Sequence, residues 1–258
     1  TGIANQNNLA PIQVTQTVFN PVATTEVTLS SNLPATPAAG TGTAASPISS
    51  NIDAYDALGT MHTVRLNWVQ NTQDDWTVSI VVPDDISSSS PNLGSANVSF
   101  GAASGNAVPE GTIGQIGGVT GTVTSSGYSA GAGATLSFVA DFGSGTQTIQ
   151  LDLGTYGQTS GVTQYAGSSY NLRGLSQNGA PPGSFTGISP QANGNIVVNY
   201  DNGQTRTIAQ VPLITFNNPN ALQRQNGQSF TATLDSGTPL AEPVGTTGAG
   251  NLVTSSIE

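Results

Sequence analysis

The 258-residue chain has no cysteine, no lysine and one histidine, and only 7 % of its residues are charged. Without cysteine there are no disulfides, thiolate zinc sites or cysteine nucleophiles. Without lysine the Gly-x-x-x-x-Gly-Lys phosphate cradle is excluded. The cations are Arg65, Arg173, Arg206 and Arg224, scattered through a chain of net charge −10. Such a field repels a phosphate backbone, so nucleic acid is not an expected partner. No run of 18 apolar residues occurs, so no membrane insertion is expected. Heptads are missing as well, which removes a coiled coil. No secretory leader is visible, and Thr1-Gly2-Ile3 reads as the start of a piece cut from a longer chain.

Gly, Ser, Thr, Asn and Gln fill the space left by charge, with 32 glycines and 36 % apolar residues. Low hydrophobicity without high charge density argues against simple disorder. It suits β surfaces that lie against other protein, where charges would have to be desolvated. Alternation with a period of two dominates. Val27 and Leu29 share one face of Thr25–Leu29. Val64, Leu66 and Trp68 alternate with Thr63, Arg65 and Asn67. After the polar turn Asn71–Asp75, residues Trp76, Val78, Ile80 and Val82 again share a face, which predicts a hairpin with a tryptophan on each strand. Further strands are expected at Ala134–Asp141, Gln147–Leu153, Asn195–Tyr200 and Gln204–Pro212. The last two flank Asp201-Asn202-Gly203, a hairpin turn signal. Asn178-Gly179, Asn193-Gly194 and Asn226-Gly227 add turns. The one helical signal is a short turn at Asn218–Gln223, with Pro219 near its start. Pro34–Ser50 and Ser87–Leu93 read as connections, and Gly101–Gly133 as a Gly/Ser/Thr-rich stretch with weak strands, a long excursion over the surface. The expected class is all-β.

Candidate chemistry is sparse. His62, the only histidine, would have to serve any Ser-His-Asp site; ordinary turn or strand packing is the simpler role. Asp74-Asp75 and Asp84-Asp85 are adjacent carboxylates of the kind that bind Ca²⁺, yet neither belongs to an Asp-x-Asp-x-Asp-Gly ladder, and solvated turns are expected. A glycosidase needs two carboxylates across a cleft. Asp53, Asp56, Asp141 and Asp152 offer pairs, but no spacing selects one. Trp68 and Trp76 suit a core better than an exposed stacking surface. Gly143-Ser144-Gly145 reads as a turn. No catalytic, cofactor-binding or metal-binding residue is therefore expected, no cofactor is implied, and the chain is not expected to be an enzyme.

Tyr55-Asp56-Ala57-Leu58-Gly59-Thr60-Met61-His62-Thr63-Val64, followed by strand, polar turn and Trp76-Thr77-Val78, opens an ordered series of segments and is similar to the start of the central domain of the bacterial flagellar hook protein family. There a Tyr/Val-Asp-Ser-x-Gly-x-x-His element precedes the first long hairpin. Gly161–Tyr165 and Gln177-Asn178-Gly179 through Gly187-Ile188 resemble the domain's end. Gly194-Asn195-Ile196 to Tyr200–Thr205 resembles a Gly-x-Ile/Val…Tyr-Ser-Asn-Gly-Gln segment, continued by Ile208–Leu213, Phe216–Pro219, Leu222 and Ser236-Gly237. Ala23–Leu29 with Asn32-Leu33 resembles the strand leading in. Ala57 and Ala209–Pro212 depart from the family's commonest residues, and Gly94–Gly133 matches nothing in the pattern.

The resemblance implies two sandwich- or barrel-like β domains, one inserted into the other: 49–186 within a discontinuous domain of 1–48 and 187–258. It also implies a core fragment of an exported, extracellular structural subunit. In full length that subunit would self-associate into a flexible tube carrying motor torque to the filament, beside rod and hook–filament junction proteins. The fragment itself is expected to be monomeric. Composition alone also fits an acidic surface adhesin or carbohydrate-binding β module, which stays open as the alternative.

Overall fold

In the computed structural model the described residues are 13–15, 17–227, 229–245, 250 and 252–254. Two compact units are present: Asn20–Pro182, and Thr1–Phe19 with Gly183–Glu258. In chain order the strands begin with β1 (Val18–Phe19), β2 (Glu26–Pro34), β3 (Ile48–Tyr55), β4 (Met61–Thr72), β5 (Asp75–Val81) and β6 (Asn92–Phe100). Next come β7 (Ile113–Gly117), β8 (Thr124–Ser125), β9 (Gly133–Asp141), β10 (Thr146–Thr155), β11 (Val162–Tyr165) and β12 (Asn171–Gln177). The remainder are β13 (Gly183–Pro190), β14 (Asn195–Tyr200), β15 (Thr205–Gln210), β16 (Leu213–Thr215), β17 (Gln223–Arg224), β18 (Phe230–Thr231) and β19 (Leu240–Glu242). The chain is all-β. Its helical content among the described residues is two short 3-10 turns, Gly101–Ser104 and Pro219–Ala221, the second carrying the expected proline at its start. No helix among the described residues is long and apolar enough to cross a membrane.

Residues 20–182 form two sheets around one core. The first is an antiparallel meander, β3-β4-β5-β6-β7. The second runs β11-β2-β10-β9-β8, with β12 also on β2. β12 occupies one edge of β2 from Val27 to Asn32. The other edge is shared by β10 at Glu26–Thr28 and β11 at Ser31–Pro34, both parallel to it. Alternation explains the layering: Val64, Leu66 and Trp68 of β4 and Trp76, Val78 and Ile80 of β5 are buried, while their sequence neighbours face outward. Leu29, Leu33, Leu136, Phe138, Ile149 and Leu151 from the second sheet join the same cluster. Burial of each such side chain contributes about 1.5–3 kcal/mol. Backbone bonds tie the two sheets together at several places: Thr24 N–H to Tyr55 O at 2.9 Å, Thr122 N–H to Leu93 O at 2.8 Å, and the Thr112–Thr163 bridge.

Several expectations are modified. Gly101–Gly133 is no surface excursion: it supplies β7 and β8 and buries Ile113, Ile116 and Val123. The weak strands expected there are present, but their few apolar residues point inward, which the many glycines and hydroxyls conceal. The connection expected over Pro34–Ser50 ends early, because β3 starts at Ile48, and the tract Ser87–Leu93 runs into β6 at Asn92. The units divide at Phe19/Asn20 and Pro182/Gly183, whereas the sequence suggested 48/49 and 186/187. The reason is β2: its Val27, Leu29 and Leu33 are core residues of the 20–182 sandwich, so the strand cannot be parted from it.

The second unit, described by itself, has a four-stranded sheet β1-β13-β14-β15 and two small ribbons, β16-β19 and β17-β18. Val198 and Tyr200 of β14 are buried, and the Phe19 ring stands edge-on to Tyr200 at 5.3 Å. The Asp201-Asn202-Gly203 turn joins β14 to β15 as expected, with Gly203 at φ 77°. Asn193-Gly194 and Asn226-Gly227 also occupy turns, with Gly194 and Gly227 both at φ 83°.

Candidate functional site

His62 lies near the start of β4, with only 10 % of its side chain accessible. Its Nδ1 is 3.2 Å from Asp84 Oδ2, and its Nε2 is 3.5 Å from Asp56 Oδ2, long for a hydrogen bond. The ring stacks on Phe142 with centroids 4.0 Å apart. Asp56 follows β3 in a tight turn: its Oδ1 accepts the N–H groups of Leu58 at 2.9 Å and Thr60 at 2.7 Å. Burial alone would raise the Asp56 pKa. The Thr60 and Leu58 amides and the His62 ring outweigh it and hold the carboxyl below the ordinary value of 3.8. The constellation thus clasps three segments: the β3–β4 turn, the loop after β5, and Phe142 just after β9. Both ring nitrogens face carboxylates, which leaves neither placed as a base for a hydroxyl.

Most of the other carboxylates named from the sequence have partners of their own. Asp85, expected in a solvated turn, is buried and accepts the Asp141 N–H at 2.8 Å and the Ser87 hydroxyl at 2.7 Å. Asp141 and Asp152 each accept the N–H two residues on, from Gly143 and Gly154, at 2.8 Å. Asp74 sits in the β4–β5 turn at φ 63°, and Asp75 accepts from Ser99 and Asn71. Asp53 is exposed on β3, opposite Thr63. These are turn and ladder roles. Among the described residues no group of three or more His, Asp or Glu is arranged to hold a metal ion. A groove of about 380 Å³ between Thr25, Ala57 and Gly145–Thr148 is lined by small and neutral residues. Trp68 and Trp76 are fully buried, so neither offers a stacking surface. With the Gln164 amide turned to satisfy both neighbours, its oxygen accepts from Trp76 Nε1 and its nitrogen donates to Asp74, each at 3.0 Å.

What remains is the outer face of the five-stranded sheet. Ser49, Asn67, Ser79 and Ser95 stand opposite one another across β3 to β6, and Thr120 continues the row. Ser49 donates to Asn67 at 2.7 Å, and the Ser95 and Thr120 hydroxyls are 3.0 Å apart. In the neighbouring row Thr77 donates to Asn97 at 2.9 Å and Asn71 donates to Thr77 at 2.9 Å. Apart from Asp53, Asp75 and Arg65, this face is mainly short uncharged side chains, many of them bonded to one another. Its solvent-facing cation is Arg65, which donates to Asn51 at 3.4 Å. No sequence motif announces the surface; the outward positions of the alternating strands were the available signal.

Comparison with known proteins follows this geometry. The family described as Flagellar basal body protein FlaE D2 domain matches residues 24–180, nearly the whole first unit. The chain is similar to flagellar hook protein FlgE of Caulobacter vibrioides, 38 % identical over 112 residues, covering 43 % of this chain and 18 % of that protein. It is similar to flagellar hook protein FlgE of Salmonella typhimurium at 26 % identity over 252 residues, covering 95 % of this chain and 55 % of the relative. It therefore spans about half, or less, of the length of these relatives. A solved structure, Helicobacter pylori flagellar hook protein FlgE2, aligns over 75 % of this chain and 38 % of its own, with 17 % identity and a TM-score of 0.47. With the family match covering more than half of its residues, the chain belongs to the flagellar hook protein family and carries that family's D2 domain.

Proposed function

We propose that this chain is the β-rich central part of a structural subunit of the bacterial flagellar hook, exported and extracellular, with no enzymatic role. The observation that carries the reading is the match to hook proteins along 95 % of the chain, in one order, with the D2 family covering 24–180. In the full-length protein, copies would associate head to tail and side by side, a heterologous geometry that generates an open helical tube. Rod and hook–filament junction proteins would be its neighbours at the two ends. A tube that bends while it turns needs outer contacts that break and re-form. The outer sheet face supports that demand: many of its hydroxyls and amides bond within their own rows, so parting a contact there leaves few polar groups unpaired.

The chain by itself is proposed to be monomeric and to bind no glycan, cofactor or metal. Removing the segment that encodes 20–182 from its parent gene tests the function. Cells that no longer build a swimming-competent hook support it; cells that swim normally contradict it.

A further inference from the structure

The chain holds four Asn-Gly pairs, at Asn178, Asn193, Asn202 and Asn226. Each sets a side-chain amide beside a backbone N–H that no Cβ shields, the arrangement in which an asparagine can close a ring on its own backbone. The fold treats the four differently. Asn178 is held at both ends of its amide: Oδ1 accepts the N–H groups of Thr25 at 2.9 Å and Glu26 at 3.0 Å, and Nδ2 donates to Thr25 Oγ1 at 2.8 Å. The Gly179 N–H donates to Gln177 Oε1. Asn193 and Asn202 each accept, through Oδ1, the N–H two residues on, at 3.0 Å. Their glycines are engaged as well: the Gly194 N–H donates to Gln191 O at 2.9 Å and the Gly203 N–H to Tyr200 O at 3.2 Å. At the fourth pair, the Asn226 amide and the Gly227 N–H make no hydrogen bond among the described residues. Both residues are exposed between β17 and β18, and an open hollow of about 470 Å³ lined by residues 224–227 admits water to them. Gly227, at φ 83°, has nothing within 4 Å of where a Cβ would stand.

We propose that Asn226 is a site of spontaneous covalent modification, a deamidation to aspartate and isoaspartate, from which the fold shields the other three pairs. The Gly227 nitrogen gives its proton to water and attacks Cγ of Asn226. A bond forms between that nitrogen and Cγ, the bond from Cγ to Nδ2 breaks, and Nδ2 leaves with a proton as ammonia. Water then opens the five-membered imide. Addition at Cγ breaks its bond to the Gly227 nitrogen and leaves aspartate. Addition at the backbone carbonyl breaks the other carbon–nitrogen bond and leaves isoaspartate, with the main chain rerouted through Cβ. The balance is one water consumed and one ammonia released, with no oxidant and no enzyme. Arg224, which lines the same hollow, favours the anionic nitrogen and the new carboxylate. Asn178 must first break three hydrogen bonds, a local opening that slows the same chemistry. The rerouted chain would fall inside the turn that the Gln225 N–H closes on Ser229 O at 2.9 Å. This inference does not depend on the hook reading.

The test exploits the scarcity of cations. The 258-residue chain is incubated at mildly alkaline pH and digested with trypsin, which cuts after its four arginines. Asn226 then lies in peptide 225–258, apart from the other three pairs in 174–206. Fragment-ion sequencing reads the amide-to-acid mass gain at each asparagine, and labelling by an isoaspartyl methyltransferase reads the isoaspartate. Asn226 is expected to react first, at least about tenfold faster than Asn178. That gap should close when urea unfolds the chain before incubation. Asn178 reacting as fast as Asn226 in the folded chain, or Asn226 remaining intact, overturns the proposal. A gap that persists in urea overturns it too, because local sequence rather than the fold would then set the rate. Asn226→Gln should abolish the methyl label in 225–258 and leave 174–206 unchanged. Label that survives in 225–258 of this variant would place the reaction at another residue and contradict the assignment.

Discussion

Gly154 and Gly161 meet as an isolated antiparallel bridge, so close that a Cβ on Gly154 would lie 2.8 Å from the Gly161 Cα. Both have positive φ, 113° and 81°. The pair marks the place where β10 leaves the side of β2 and β11 takes over, with residues 156–160 looping out between them. A side chain at either position would also overlap the backbone carbonyl of Ser160 or Leu153.

Gly161→Ala is therefore expected to destabilise the 20–182 sandwich by about 2–3 kcal/mol, from left-handed backbone strain and the overlap together. Gly40, at φ 82° with nothing within 4 Å of its would-be Cβ, isolates the strain component. Gly40→Ala should cost about 1 kcal/mol. Urea denaturation of the two variants checks this, and equal losses would show that the close approach is not limiting.

Arg173 supports the same break from the β12 side through its bonds to Ser31 O, Gly161 O and Thr163 Oγ1. Arg173→Ala should cost about 1–3 kcal/mol, because carbonyl groups lose a charged donor. Arg173→Lys should recover only part of it, since an ammonium lacks the planar fork. A full recovery in thermal melts would mean that charge alone matters.

Acid should loosen the clasp around His62. The folded-state pKa of Asp56 is held below 3.8, so its ionised form stabilises the fold fully above that value. That contribution is lost as pH falls below 3.8 and through the folded-state pKa. Asp56→Asn keeps an oxygen for the Leu58 and Thr60 amides but removes the titration. The stability gap between parent and variant should be widest near neutral pH and narrow below pH 3.8; a gap that does not change with pH would contradict the assignment.

Trp68 and Trp76 are fully buried, so their fluorescence should resist iodide quenching until the sandwich unfolds. Trp68→Ala should cost about 3–5 kcal/mol. Ready quenching in the native state would put a tryptophan on the surface and revive a stacking role.

The strongly alternating strands were legible in the sequence. The β4–β5 hairpin with its two inward tryptophans and the β14–β15 hairpin at Asn202-Gly203 follow directly from pattern and turn chemistry. β3 was hidden because two of its inward positions are Ser50 and Ala54, too weakly apolar to register as a buried face. β12 was hidden because it is an edge strand exposed almost throughout, with no alternation to read. At the clasp, Asp56 and His62 are close in sequence, but Asp84 is 22 residues from His62 and Phe142 is farther still. Only the closed sandwich brings them together. Asp85 was misread for the same reason, since its partner Asp141 is 56 residues away.

The central claim is tested most directly by immunogold labelling of intact source cells with an antibody raised against these 258 residues. The account predicts label confined to the short segment between cell body and filament. Label spread over the cell envelope would contradict it and turn the chain into a surface adhesin.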